Sequence, residues 1–459
     1  MRAVSALWTS AAIAAATGGT ASADFAVSGV AFDSREIGAG DLFMAMPGTE
    51  HDGHRFVDGA FAKGAAGAIV SQPVAHPHIL VADTAAALNA LGVASRERSK
   101  ARVAGVTGSV GKTGTKEALA AALSRTPDVR VHRSVKSYNN HTGVPLSLAR
   151  MPADSDYAVF EMGMNHAGEI AALTRLVRPH VAVVTAVAAV HLEFFDSVEG
   201  IADAKAEIFE GLEPGGIAVI PFDSPYRDRL IAAAKPHAAH ILTFGSGAGA
   251  DVRARDVIDN GDSSTVTAAL PGVELCLTIG QPGAHWVSNG LAVLAAVHAL
   301  GADLGVAALA LADLESLPGR GARHNIRVGS GAALVLDESY NANPTSMRAT
   351  LAVLARENGR KVVVLGAMGE LGAESDALHA GLADDVMTAG AEIALLVGRG
   401  MAPLAAALEG RTEVRHVTDA AAADAALATL IAPGDAILVK GSNSVGLSAL
   451  VASLKSRTA

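Results

Sequence analysis

The chain has 459 residues, half of them apolar, and its 36 basic and 46 acidic residues give a net charge of -10 at pH 7. This length predicts about three domains of roughly 150 residues, and the acidic balance argues against nucleic acid as a partner. Cys276 is the only cysteine, which excludes an intramolecular disulfide and a cysteine-rich zinc site, so we interpret it as structural.

The N-terminal segment imitates a signal peptide but favours a cytoplasmic helix. An alanine-rich stretch leads to an Ala-x-Ala pattern at residues 21–23. The stretch also contains Ser, Thr and Trp, however, and Thr9 or Ser10 is a suitable N-cap for a short helix that ends at Gly18-Gly19. We therefore expect a cytoplasmic protein. We expect no membrane insertion, because no segment has about 18 consecutive strongly apolar residues.

The remaining pattern predicts an α/β fold of three domains, at residues 1–101, 102–317 and 318–459. The first has short strands in "FAVSGVAFDSR", "GDLFMAM", "GAAGAIVS" and "HILVAD". From residue 102, strands, glycine loops and helices alternate, which predicts a parallel sheet with helices on its faces. Within this region "TVTAALPGVELCLTI" predicts a hairpin that turns at Pro271-Gly272. The alternation resumes after "LPGRGARHN" and predicts a smaller C-terminal α/β domain.

The first strand of the central region leads into "TGSVGKTGTKE", residues 107–117. Backbone N–H groups of such a loop bind phosphate at the start of a helix, while Lys112 adds a charge and Thr113 a hydroxyl suited to Mg²⁺. The strict P-loop pattern needs a glycine where this chain has Val106. A chance glycine-rich loop is the alternative, but the strand before it and the helix after it favour nucleotide phosphate binding.

Two further strands end near the same predicted edge. Glu161 ends "YAVFE" and would reach the crevice of Lys112, because ligands gather at the carboxyl ends of parallel strands. A carboxylate there suits a hard cation, and a solvated strand-end acid is the alternative. His191 follows the next strand, and Lys205 lies in an Ala/Ile/Phe helix where a lysine is ordinarily a surface residue. The residues alone thus predict an ATP–Mg²⁺ site and leave His191 and Lys205 unexplained.

Six motifs together closely resemble the Mur ligases, the ATP-dependent amide-forming enzymes of peptidoglycan precursor synthesis. They are "TGSVGKTGTKE", "NNHTGVPLSL", "EMGMNHAGEI", "HLEFFDSVEGIADAKAEIF", "DESYNANPTSM" and "VKGS". "TKE", "EMGMNHAGEI" and "SYNANP" are most similar to the MurF branch, which adds D-alanyl-D-alanine to UDP-N-acetylmuramoyl tripeptide. The loop of that branch, T-G-x-x-G-K-[ST], accommodates Val106. "DSREIGAGDLFMAM" resembles the family's N-terminal substrate domain, so the resemblance covers nearly the whole chain.

The resemblance implies an N-terminal UDP-sugar-binding domain, a central P-loop ATPase domain and a Rossmann-like C-terminal domain. It places Lys112 on the β- and γ-phosphates, Asn289 at adenine and Arg320 on ATP from the C-terminal domain. Either Asp337 or Glu338 would contact the ribose, and the sequence leaves that choice open. The implied ATP-binding residues are Thr107, Gly108, Ser109, Val110, Gly111, Lys112, Thr113, Gly114, Asn289, Arg320, Asp337 and Glu338.

The same resemblance implies two Mg²⁺ ions and a modified lysine. Thr113 and Glu161 would bind one ion and His191 the second. Lys205 would react with CO₂, and the resulting carboxylate would orient a metal. Lys112, His191 and Lys205 are therefore the side chains that we expect to take part in catalysis.

Five further residues are candidates for substrate contacts: Ser34 and Arg35 for the UDP-sugar, and Asn139, Asn140 and His141 for the dipeptide. Asp-Ser-Arg and Asn-Asn sequences equally form ordinary turns, and that alternative stays open. In the implied reaction the tripeptide carboxylate attacks the ATP γ-phosphorus, and the dipeptide amine then displaces phosphate from the acyl phosphate. Substrates held on three domains imply closure before chemistry. We expect a monomer.

Three rival functions remain. Another Mur or folylpolyglutamate-type ligase is the nearest, but the D-N-P-R and D-D-P-N motifs expected of diamino-acid ligases do not occur in the sequence. A non-catalytic nucleotide-binding regulator is disfavoured because Lys112, Glu161 and Lys205 are all present. A P-loop motor is the weakest rival, since it leaves His191, Lys205 and the third domain without a role.

Overall fold

The computed structural model describes residues 6–48 and 52–456. Within this part of the chain, three large sheets of five, nine and six strands follow one another, and a two-stranded ribbon lies at the N-terminus. The architecture is mixed α/β, as the sequence predicts. The predicted boundaries after residues 101 and 317 fall between the sheets and remain predictions.

The N-terminal unit has a mostly parallel sheet. Its elements are β1 (Trp8–Thr9), α1 (Ser10–Thr17), β2 (Thr20–Ala21), β3 (Ala26–Val27), β4 (Gly29–Ala31), β5 (Asp41–Met44), a 3₁₀ turn (Gly53–Phe56), α2 (Val57–Ala62), β6 (Gly67–Val70), β7 (His78–Leu80) and α3 (Thr84–Arg98). The strand order is β2-β7-β6-β5-β4, and only β2 runs antiparallel to its neighbour. Helix α1 has Thr9 as its N-cap and ends at Gly18 with φ of 67°, as predicted.

The central unit carries the largest sheet. Its elements are β8 (Arg102–Thr107), α4 (Lys112–Ser124), β9 (Val131–Arg133), α5 (Gly143–Ala149), β10 (Tyr157–Glu161), α6 (Glu169–Val177), β11 (Val181–Val184), α7 (Val198–Ala206), a 3₁₀ turn (Glu207–Gly211), β12 (Ile217–Pro221), α8 (Arg227–Ala234), β13 (His240–Gly245), β14 (Val252–Asp259), β15 (Ser264–Leu270), β16 (Val273–Ile279), α9 (Ala284–Ala299) and α10 (Leu304–Ala312). The order is β16-β15-β14-β13-β12-β11-β8-β10-β9. The predicted hairpin is β15–β16. Cys276, in β16, is exposed.

The register of this sheet brings three strand ends together. Glu161 of β10 lies opposite Val106 of β8, and Val184 of β11 lies opposite Thr107. All three strands are parallel, so their carboxyl ends open onto one edge. Their side chains are buried on both faces, which accounts for the nearly continuous apolar runs of the sequence.

The C-terminal unit is a six-stranded sheet with helices on both faces. Its elements are β17 (Ala322–Val328), β18 (Gly331–Glu338), α11 (Pro344–Leu354), β19 (Lys361–Gly366), a 3₁₀ turn (Gly372–Glu374), α12 (Ser375–Ala380), α13 (Ala383–Thr388), β20 (Ala391–Val397), a 3₁₀ turn (Arg399–Met401), α14 (Ala402–Leu408), β21 (Glu413–Val417), α15 (Ala420–Leu430), β22 (Ala436–Lys440), a 3₁₀ turn (Asn443–Val445) and α16 (Leu447–Ser456). The order is β17-β18-β22-β19-β20-β21, with β17 antiparallel and the others parallel.

The N-terminal unit is joined to the central unit by buried contacts. The indole N–H of Trp8 donates to the Ala149 carbonyl at 2.8 Å, and the Arg98 guanidinium stacks 3.5 Å from the Trp8 ring centroid. Leu146 and Ala149 of α5 belong to the apolar core of the N-terminal unit. In the part of the chain that the structure describes, no helix is long and apolar enough to cross a membrane.

Candidate active site

A cavity of about 610 Å³ lies between the central and C-terminal units. Its central wall is the edge where β8, β10 and β11 end, and its opposite wall comes from the carboxyl ends of β18, β19 and β22. The predicted site residues that line it are Ser109, Val110, Gly111, Lys112, Thr113, Gly114, Asn139, Asn140, His141, Glu161, His191, Asn289, Arg320 and Glu338. The fold therefore brings most of the predicted residues to one place.

The loop between β8 and α4 has the backbone of a phosphate cradle. Gly108 has φ of 151° and Gly111 has φ of 84°, conformations that favour glycine. A side chain at Gly111 would also meet the amide oxygen of Asn289 at 2.6 Å. The Lys112 ammonium folds back and donates to the Gly108 carbonyl at 2.6 Å. Burial lowers the pKa of Lys112, so an anion in the cradle would restore the charged form.

Thr113 and Glu161 form the acidic corner of the cavity. The Thr113 hydroxyl donates to Glu161 Oε2 at 2.9 Å, and the Asn139 amide donates to Glu161 Oε1 at 2.8 Å. Glu161 is 1% exposed, so its charge is directed into the cavity rather than to bulk water. The alternative of a solvated strand-end acid is therefore wrong.

The oxygen ligands that Thr113 and Glu161 offer at this corner fit one hard cation better than two. A hydroxyl and a carboxylate oxygen 2.9 Å apart are the oxygen ligands that Mg²⁺ prefers. Among the described residues, no group of three or more His, Cys, Asp or Glu side chains could hold a metal. With unmodified side chains, Thr113 and Glu161 fit a single Mg²⁺. Among the described residues, the expected second ion lacks ligands besides His191.

His191 contacts the C-terminal unit. Its Nδ1 closely contacts the carboxylate of Glu370, and this contact lowers the pKa of Glu370. Both residues have positive φ, 58° for His191 and 61° for Glu370, which is uncommon outside glycine. The Glu193 N–H also donates to the Glu370 carbonyl at 3.3 Å. The two loops that meet here join the central and C-terminal walls of the cavity.

Lys205 is buried, so its interpretation as an ordinary surface residue is wrong. It is 1% exposed on α7, and among the described residues no carboxylate lies within ion-pair distance of it. Burial, together with the nearby charge of Lys112, lowers its pKa well below the usual value. Lys205 does not line the cavity, but it is close enough to Lys112 for the charge of that lysine to lower its pKa.

The C-terminal wall presents Arg320 and Glu338. The Arg320 guanidinium lies 4.1 Å from the Tyr340 ring centroid and donates to the Ser137 hydroxyl at 3.4 Å. Burial raises the pKa of Glu338, whose carboxylate is 3.5 Å from the Lys440 ammonium.

Of the two candidate acids at the end of β18, only Glu338 lines the cavity. Asp337 is buried, and its oxygens accept hydrogen bonds from the Gly319 and Ser339 N–H groups at 2.9 and 3.1 Å. The Ser339 hydroxyl donates to Asp337 at 2.6 Å. The geometry therefore favours Glu338 as the residue that faces a ligand.

Several predicted residues do not reach the cavity wall. Ser34 and Arg35 lie in an exposed turn, where the Arg35 guanidinium forms an ion pair with the Asp33 carboxylate. The backbone N–H of Arg35 donates to the same carboxylate at 2.9 Å. Thr107 is buried in β8, and its hydroxyl has no hydrogen-bond partner among the described residues. Asn140 lines the cavity, and its amide oxygen accepts from the N–H groups of the following turn, so it caps that turn, while its contact with the dipeptide stays a prediction.

Sequence reasoning left several ionisable residues of the wall unassigned, among them Glu370, Lys440 and His285. Lys440 ends β22 in the "VKGS" motif, and its position at a strand end was a usable signal. His285 is half-buried beside Trp286, and desolvation lowers its pKa to about 4. Glu370 lies in a loop after β19, where no sequence pattern singled it out.

Three family models match the chain. They are described as Mur ligase family, catalytic domain, over residues 26–133, Mur ligase middle domain, over residues 106–297, and Mur ligase, glutamate ligase domain, over residues 323–443. Together they reach into all three large sheets.

Individual relatives match over nearly the full length. The chain is 37% identical to the UDP-N-acetylmuramoyl-tripeptide--D-alanyl-D-alanine ligase of Escherichia coli (strain K12), covering 94% of this chain and 95% of that one. The crystal structure of MurF from Acinetobacter baumannii has a TM-score of 0.85 at 34% identity and covers 98% of this chain and 99% of its own. MurF ligase from Thermotoga maritima in complex with ADP has a TM-score of 0.76 at 27% identity, covering 94% and 97%.

Proposed function

The chain belongs to the Mur ligase family, and we propose that it works as the dipeptide-adding ligase of peptidoglycan precursor synthesis. It joins D-alanyl-D-alanine to UDP-N-acetylmuramoyl tripeptide and converts ATP to ADP and phosphate. The observation that carries this proposal is the cavity in which the phosphate loop and Glu161 of the central unit face Arg320 and Glu338 of the C-terminal unit.

The reaction has two balanced steps. The terminal carboxylate of the tripeptide attacks the γ-phosphorus of ATP, which gives an acyl phosphate and ADP. The free amine of D-alanyl-D-alanine then attacks the acyl carbon, and phosphate leaves as the amide forms and the amine loses a proton. Both steps concentrate negative charge on phosphoryl oxygens, so cations and N–H donors carry most of the stabilisation.

The central wall supplies these groups. Backbone N–H groups of residues 108–113 would bind phosphate oxygens at the N-terminus of α4. Lys112 would leave the Gly108 carbonyl and take a phosphate oxygen instead. Thr113 and Glu161 would hold Mg²⁺, which when bound neutralises phosphate charge. Asn139 orients Glu161 through its amide hydrogen bond.

The C-terminal wall completes the nucleotide site. We assign Arg320 to a phosphate of ATP, Glu338 to the ribose, and Asn289, which lies beside Gly111, to adenine. The contacts of His191 and Arg320 across the cavity support closure around the reactants. Closure would keep water from the acyl phosphate.

The remaining assignments belong to the same proposal. The N-terminal unit, residues 1–101, would bind the UDP-sugar, and residues 102–317 and 318–459 would act as the two ATP-binding domains. Asn139, Asn140 and His141 would meet the dipeptide. We propose that Lys205 is carboxylated and that its carboxylate, with His191, supplies the second metal site. We further propose that the protein acts as a cytoplasmic monomer.

The test is a phosphate-release assay with Mg²⁺-ATP and UDP-N-acetylmuramoyl tripeptide, with and without D-alanyl-D-alanine. We expect phosphate release that depends on the dipeptide, and a product whose mass exceeds that of the tripeptide substrate by one dipeptide less one water. Phosphate release with neither substrate, or only with a folate or a single amino acid, would contradict this function and favour one of its rivals.

Arg320→Ala should raise the KM for ATP by about ten- to a hundredfold and change the KM for the dipeptide little. Arg320 reaches ATP from the C-terminal unit, and losing one charge-assisted contact to phosphate costs about 1.5–3 kcal/mol. Steady-state kinetics at saturating dipeptide measures the effect. Arg415→Ala is the matched control, because Arg415 pairs with Glu413 on the exposed edge strand β21. An unchanged ATP response would remove Arg320 from the nucleotide site.

A further inference from the structure

The segment from Ser134 to Asn139, here called the 134–139 loop, connects β9 to the turn before α5 and meets both walls of the cavity. Its Asn139 amide donates to Glu161 at 2.8 Å. Its Ser137 hydroxyl accepts from Arg320 at 3.4 Å. The loop therefore contacts the acid assigned to Mg²⁺ and the arginine assigned to ATP at the same time.

The same loop also contacts the N-terminal unit. Lys136 forms a close ion pair with Glu36, and the Tyr138 hydroxyl donates to Glu36 at 3.0 Å. Lys136 has φ of 53°, a left-handed conformation that a lysine rarely adopts unless its surroundings hold it there. The position of the loop is therefore set by contacts and not by local backbone preference.

Lys116 of α4 supplies two of those contacts as hydrogen bonds to the loop backbone. It is 0% exposed, and its ammonium donates to the Ser134 and Lys136 carbonyls, each at 2.8 Å. It also forms an ion pair with Glu117 at 2.8 Å. Lys116 does not line the cavity, so it has no direct contact with a ligand there. A buried ammonium is costly unless it is hydrogen-bonded, and here most of its bonds hold the loop.

The placement of Lys116 in the sequence ties the loop to the phosphate cradle. Lys116 follows Lys112 by four residues on α4, which puts both on the same face of the helix. One lysine of this face borders the cavity and the other holds the backbone that carries Ser137 and Asn139. The "TKE" motif thus places the Lys116 ammonium against the loop and outside the cavity.

We propose that Lys116 is a positioning residue that fixes the 134–139 loop, and through Asn139 and Ser137 sets the orientation of Glu161 and Arg320. The catalytic consequence rests on the proposed function, whereas the hold on the loop does not. Lys116 acts through the loop, so its removal should matter only as far as the loop residues themselves matter.

The first test is amide hydrogen exchange on the ligand-free protein. Lys116→Met keeps an unbranched buried side chain but removes the hydrogen bonds to both carbonyls. We therefore expect amides in the 134–139 loop to exchange at least about tenfold faster. Glu117→Gln is the control, since it removes the ion pairs of Glu117 with Lys116 and with Arg133 and leaves both carbonyl bonds of Lys116. Unchanged exchange in Lys116→Met, or equal acceleration in Glu117→Gln, would overturn the proposal.

The second test is a double-mutant cycle on kcat with Asn139→Ala. We expect Lys116→Met to lower kcat by about ten- to a hundredfold alone, and by less than about threefold in the Asn139→Ala background, because the two residues act in one chain of contacts. Equal factors in both backgrounds would mean that Lys116 supports only general stability.

Lys116→Gln, which keeps one donor on a shorter side chain, is measured in parallel in case Lys116→Met does not fold, and should show smaller effects of the same sign. No effect of Lys116→Gln on loop exchange, where Lys116→Met does not fold, would count against the proposal. If the unmutated protein shows no dipeptide-dependent turnover, the proposed function fails, and the exchange measurement alone decides the role of Lys116.

Discussion

Lys112→Ala should reduce dipeptide-dependent ADP formation by at least about a thousandfold, the scale of losing a preorganised charge at a transferring phosphoryl group. The Lys112 ammonium is already directed along the loop toward the Gly108 carbonyl at 2.6 Å. It needs only a small side-chain movement to reach a phosphate there. Because burial lowers its pKa, its bond to phosphate also gains from a poorly hydrated setting.

The measurement is ADP release by a coupled assay, with the melting temperature recorded for each variant. Lys235→Ala is the control, since Lys235 is exposed at the end of α8. We expect Lys235→Ala to retain full activity and Lys112→Ala to remain folded. Substantial turnover by Lys112→Ala would show that residues 107–114 are not the phosphate site, whatever the other contacts of the cavity.

The phosphate loop and the sheet edge could be predicted from the sequence because they depend on local patterns. A strand, a glycine loop and a helix are contiguous at residues 102–124, and strand alternation places Glu161 at the same edge. Helix α1 was predictable for the same reason, since its N-cap Thr9 and its C-terminal Gly18 directly flank it in the sequence.

The contacts across the cavity could not be predicted in this way. His191 and Glu370 meet because two separately folded sheets face one another, and no periodicity within either segment encodes that approach. Arg35 shows the same limit: the structure places it in a turn beside Asp33, and its contact with the UDP-sugar stays a prediction. Assignments to loops depend on domain placement, which the sequence pattern does not contain.

The burial of Lys205 had a usable sequence signal. Ile201 and Phe209 precede and follow it by four residues, and both are fully buried. A spacing of four places all three on one side of consecutive helical turns. The charged neighbours Glu199 and Asp203 lie elsewhere on the helix and are exposed. Composition predicted a surface lysine, whereas periodicity would have predicted a buried one.

Lys205→Ala should be nearly inactive, and millimolar acetate or formate should partly restore its turnover. The lowered pKa of Lys205 favours the neutral amine, the form that attacks CO₂ to give a carbamate with loss of one proton. The carbamate would carry a negative charge beside Lys112, where the unmodified side chain offers none. Removing the side chain leaves a space that a small carboxylate fits, so an added acid can replace the missing charge.

Lys205→Met distinguishes this role from a structural one. Methionine fills most of the same volume and leaves little room for an added acid, so Lys205→Met should be as inactive as Lys205→Ala without being rescued. Its melting temperature should not fall, because a buried amine without a carboxylate partner contributes little to stability. Lys112→Ala should likewise not respond to acetate, since it lacks a cation. If Lys205→Met matches the activity of the unmutated protein, Lys205 carries no carboxylate that the reaction needs.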